Sequence, residues 1–68
     1  MNTEVAGLDE GQRAELRELV ARAVRARAAH IVATSEFGDL AARTIEADLA
    51  AFDAETRLVH YIEGLVAK

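Results

Sequence analysis

Thr34-Ser35-Glu36-Phe37-Gly38-Asp39 is the stretch on which the fold turns. It sets cap-forming side chains around a glycine suited to an unusual backbone angle, in a chain that has no proline at all. On its N-terminal side, Asp9 with Gln12 three residues on makes a capping-box pattern that starts a helix. From Glu10 to about Thr34, Leu16, Leu19, Val20, Ala23, Val24, His30 and Ile31 recur at spacings of three and four. At about 100° per residue they share one arc, with Glu15, Glu18, Arg22 and Arg25 opposite. On its C-terminal side a second helix is expected from about Leu40 to Val66, with Asp39 as N-cap, or Ser35 in its place, and Gly64 loosening the last turn. Residues 1–8 read as a flexible lead.

Two helices of about 25 residues, each roughly 37 Å long, joined by a turn at 35–39 must lie antiparallel. The expected fold is therefore all-α, an antiparallel two-helix hairpin. Two long helices share only a line of contact, and a chain of 68 residues buries only about 60% of the surface its unfolded form exposes, which leaves a monomer marginal. With no cysteine, disulfides and thiolate metal sites are excluded, which leaves assembly as the way to gain a core. A homodimeric four-helix bundle is the expected form.

The second helix carries two apolar stripes. Ile45, Leu49, Phe52, Thr56, Val59 and Val66 form the first, which is expected to face helix 1. Leu40, Ala47, Ala51, Ala54, Leu58, Ile62 and Leu65 form the second, with Tyr61 at its edge as an anchor. Together the stripes cover roughly 200°, more than one buried face needs. The second stripe is thus the expected interface, either the seam between two copies or a surface for a different protein, the remaining reading being a plain exposed surface diluted by alanine.

Some polar residues fall where the pattern asks for apolar ones. Arg27 lies inside the apolar arc of helix 1, and Asp48 and Glu55 lie between the stripes of helix 2. For a turn near residues 36 and 37, Arg27 lies level with Glu46 and Arg25 with Asp48, giving interhelical ion pairs that fix register. Arg17 lies level with Thr56, beside Glu55. The competing reading is a carboxylate-lined site, but an arginine lies within reach of each acid.

The net charge of −4 argues against a nucleic-acid binder, and an Arg-rich face of Arg13, Arg17, Arg22 and Arg25 is the only feature in its favour. A bundle metal site would need Glu-x-x-His twice; the chain offers only His60 with Glu63, and His30 lies toward the other end of the hairpin. No hydroxyl has the base and acid of an activated nucleophile, and no glycine-rich phosphate loop exists. No cofactor is called for. The start Met1-Asn2-Thr3-Glu4 lacks the basic and apolar regions of a signal peptide, and no apolar run approaches a membrane span, so a cytoplasmic protein is expected. The function these features point to is non-enzymatic: a small interaction module, as adaptor, regulator or inhibitor-like subunit.

Overall fold

The computed structural model describes residues 7–67, and the residues beyond, including 1–6 of the expected lead, lie outside the described part. Two helices, α1 (Glu10–Phe37) and α2 (Ala42–Val66), pack against each other as an antiparallel hairpin. Asp9 caps α1 as the sequence suggests: its carboxylate accepts from the Gln12 N–H at 2.7 Å, and the Gln12 side chain accepts from the Asp9 N–H at 3.0 Å.

The turn comes later than the sequence suggests. α1 continues through Thr34, Ser35 and Glu36 to Phe37. Thr34 is accommodated because its hydroxyl donates to the His30 carbonyl one turn back, at 3.0 Å. Gly38, at φ 90°, ends the helix, and its N–H donates to the Thr34 carbonyl at 2.9 Å. Asp39 is therefore in the connection rather than capping α2, and neither it nor Ser35 serves as the cap. Ala41, in extended conformation, holds that position without a side-chain hydrogen bond. The Arg43 guanidinium lies 5.3 Å from the centre of the Phe37 ring and packs the turn end.

The helices meet along small side chains. Ala23 of α1 and Thr44, Ala51 and Ala54 of α2 are the buried residues. The Thr44 hydroxyl donates across the seam to the Ala33 carbonyl at 3.1 Å. Toward the open end the half-buried residues grow larger: Leu16 and Leu19 on α1, Leu58, Tyr61 and Leu65 on α2. There the Tyr61 hydroxyl donates to the Gln12 carbonyl at 3.4 Å. The result is a rod of 46 × 19 × 16 Å in which, among the described residues, no side chain larger than threonine is buried.

Ala51 is wholly inaccessible, so its methyl sets how closely the backbones approach. Ala51→Leu is expected to destabilise the hairpin by about 1–3 kcal/mol through overpacking. Ala50→Leu, one residue away and exposed, should stay within about 0.5 kcal/mol of the parent. Thermal melts followed by circular dichroism compare the two; equal melting temperatures would mean that the helices do not meet at Ala51.

Candidate interaction face

The structure exchanges the expected roles of the two apolar stripes. Ala47, Ala51, Ala54, Leu58, Tyr61 and Leu65, expected as the outward interface, line the seam with α1. The first stripe, expected to face α1, is exposed instead: Ile45 48%, Leu49 63%, Phe52 65%, Val59 48% and Val66 77%. The physical reason is size. Alanines let two backbones come close and pair along their length, whereas Ile45 and Phe52 would hold the helices apart. Of the remaining expected interface residues, Leu40 stands in the turn, 89% exposed, and Ile62 is 41% exposed.

The arc of α1 divides in the same way. Leu16, Leu19, Ala23 and His30 turn toward the seam, while Val20, Val24 and Ile31 are exposed. Where they point is fixed by Arg27. Its Nε and Nη2 donate to the two oxygens of Glu55 at 2.9 and 2.8 Å, a forked ion pair, and its Nη1 donates to Asp48 at 2.9 Å. Val24 and Ile31 lie one turn either side of Arg27. With Ala23, Ala28, Arg27 and Glu55 they line an open groove of about 400 Å³. On α2, Ile45, Phe52, Val59 and Ile62 stand three, four or seven residues from Asp48 or Glu55, spacings that place them on the same side of the helix. The exposed apolar residues of both helices therefore form one face, two helices wide, with the Arg27 cluster in its middle.

The opposite side is charged. Glu18 receives Arg22 at 3.5 Å and Arg25 at 4.0 Å, and Asp53 pairs with Arg57 at 3.0 Å. These pairs are all more than half exposed and contribute little to stability. Val32, seven residues beyond Arg25, is the large apolar residue on that side.

The expected ion pairs are accordingly revised. Arg27 meets Asp48 and Glu55 rather than Glu46, because the later turn slides α2 past α1 by about a helical turn. Arg25, expected opposite Asp48, reaches Glu18 on its own helix, and Glu46 makes no ion pair among the described residues. Of the Arg-rich surface, Arg22 and Arg25 share Glu18, and Arg13 donates to the Leu8 carbonyl at 2.8 Å.

His30 belongs to the Arg27 cluster. Arg27 Nη1 lies 2.9 Å from His30 Nδ1, which casts Nδ1 as acceptor and leaves the ring proton on Nε2, facing the Thr34 hydroxyl at 3.4 Å. The imidazole thus continues a polar line from Glu55 through Arg27 to Thr34. His60 is exposed on α2 near the open end, by a shallow depression lined by Gln12, Tyr61 and Leu65. Among the described residues no group of three or more histidine, aspartate or glutamate side chains is placed to hold a metal ion. None of the described helices is long and apolar enough to cross a membrane. No protein-family model, curated protein or solved structure matches the chain.

The Arg27 fork holds the Glu55 carboxyl below the usual glutamate range, mainly through its hydrogen bonds, and Glu55 in turn holds Arg27 above the usual arginine value. A carboxyl with a depressed folded-state pKa contributes stability that is complete above its unfolded value and is lost as pH falls through the folded value. Melting temperatures of the parent and Glu55→Gln should therefore differ most near neutrality and converge in acid. A difference that stays constant down to the lowest pH would mean that the fork does not stabilise the folded chain.

Proposed function

We propose that this chain is a small, non-enzymatic association module that works through the apolar face on the Arg27 side. The observation that supports it is the concentration of exposed apolar residues there: Val20, Val24 and Ile31 from α1, and Ile45, Phe52 and Val59 from α2, each at least 42% exposed. Apolar patches of this breadth mark interaction sites, and here no buried core compensates for the exposure. The dimeric four-helix bundle is the assembly this face favours. In such an assembly the seam between helices is intramolecular, lined by alanine in its middle and by Leu16, Leu19, Leu58, Tyr61 and Leu65 toward the open end, while the exposed side chains of the Arg27 side would form the core between hairpins.

As a module of this kind the protein acts by occupancy. Binding would remove apolar area from water at about 25 cal/mol per Å², and the polar cluster in the middle would restrict which partner and which register fit. A regulator, an adaptor and an inhibitor-like subunit all fit this mode of action. The charged side, with Glu18, Arg22, Arg25, Asp53 and Arg57, would stay in water.

Two charge insertions test the assignment of the face. Phe52→Glu on the apolar side is expected to abolish association, whether with another copy or with a protein that copurifies with the tagged chain. Val32→Glu on the charged side should leave it intact. Sedimentation and copurification of both variants decide. Equal behaviour of the two would remove the reason for assigning association to the Arg27 side.

A further inference from the structure

We infer that His30 is a proton switch in the polar cluster: when the imidazole takes a proton at Nδ1, the Asp48 carboxylate passes from Arg27 to His30, while the forked Arg27–Glu55 pair stays closed. The switch lies within one hairpin and works the same whatever covers the apolar face. Histidine is the side chain whose ordinary titration falls between about pH 5 and 8. The first support is the contact between two nitrogens. His30 Nδ1 lies 2.9 Å from Nη1 of Arg27, which can only donate, so the neutral ring accepts there. A proton taken from water at Nδ1 sets two donors and two positive charges against each other, and the contact cannot persist. The Thr34 hydroxyl gives its own proton to the His30 carbonyl at 3.0 Å, so toward Nε2, 3.4 Å away, it accepts. Nε2 thus keeps its proton in both states, and Nδ1 alone changes role.

The second support is register. The Thr44 hydroxyl on the Ala33 carbonyl fixes where the antiparallel helices meet. His30 stands three residues back from Ala33, and Asp48 four residues on from Thr44, which puts the two nearly level. From Ala26 to Thr34, Arg27 is the only other charged residue of α1. On α2, Glu46 lies about 200° around the helix from both Thr44 and Asp48 and points away from α1. Glu55 lies toward the open end, and a positive charge on His30 favours the ionised form of its carboxyl, so the ring is within electrostatic reach of the acids.

The third support is how firmly each acid is held. Glu55 receives two bonds from Arg27, at 2.9 and 2.8 Å, whereas Asp48 receives one, at 2.9 Å, and its side chain is more than half exposed. The acid that is level with the ring is thus the one that is easier to release. Arg27 is itself a third exposed, so the freed Nη1 turns to water. With the ring neutral, one cation faces two carboxylates; with the ring charged, two cations face two. The middle of the apolar face loses its net charge, and both links between the helices remain.

The test is nuclear magnetic resonance of the full chain carrying His60→Gln, which leaves His30 as its one histidine, at a concentration where circular dichroism shows the helices formed. With the ring neutral, nitrogen shifts should read Nδ1 as the bare nitrogen and Nε2 as the protonated one. As the pH is lowered and the ring titrates, the Asp48 carboxyl carbon should shift in step with it, at least about threefold more than that of Glu55, and cross-peaks from the ring to the Asp48 methylene should appear. Adding His30→Gln should remove that step from Asp48. A neutral ring protonated on Nδ1 would overturn the switch. So would an Asp48 carboxyl that stays still while the ring titrates, a Glu55 response as large as that of Asp48, or an Asp48 step that survives His30→Gln.

Discussion

Close approach of the two helices along alanine is the constraint from which the other features follow. Ala23, Ala51 and Ala54 are buried in the seam, and Thr44 adds a hydrogen bond to the opposing backbone. Small side chains let helices lie near each other, but each removes little apolar area from water, so the seam fixes geometry more than it supplies stability. Val20, Val24 and Ile31 of α1 and Ile45, Phe52 and Val59 of α2 are turned out of that contact, while Leu16, Leu19, Leu58, Tyr61 and Leu65 half-fill it toward the open end. A hairpin so constructed has an ordered shape but only small side chains buried among the described residues, and under the proposed association its stability would be tied to whatever covers the remaining face.

Arg27 sets which way that face points. By reaching across to Asp48 and Glu55 it fixes both the rotation of the helices and their offset along the axis, since a slip of one residue would swing the two acids away from it. Under the proposed association, an ion pair in such a place would act for specificity as much as for stability: an all-apolar face would tolerate many registers, and a polar cluster in its middle would tolerate few. His30 and Thr34 extend the same polar line toward the turn, so the cluster is tied to the helix that ends at Gly38.

Much of this was legible in the chain. The capping box at Asp9 and Gln12, the helical periodicity and the glycine at 38 marked two helices and their junction, and the placement of Asp48 and Glu55 between the stripes of α2 marked them as special. Thr34, Ser35 and Glu36 look like boundary residues in the sequence, so the turn reads earlier than it falls, whereas the Thr34 hydroxyl bonds back to its own helix, which runs on to Phe37. The same offset puts Glu46 level with Arg27 on paper, where the structure brings Asp48 and Glu55 to it. The stripes were exchanged for a different reason. Hydrophobicity ranks Phe52 and Ile45 as the residues to bury first, but which stripe meets a neighbouring helix depends on the width of side chain the contact can hold, and periodicity carries no information on that.

The central claim is that the hairpin's order depends on covering the Arg27 face. The most direct measurement is circular dichroism of the parent chain across a dilution series, read together with its mass by sedimentation equilibrium. The account predicts that helix content and cooperative melting decline together with the associated mass as the chain is diluted. A single-chain species that keeps full helix content and melts cooperatively would contradict it.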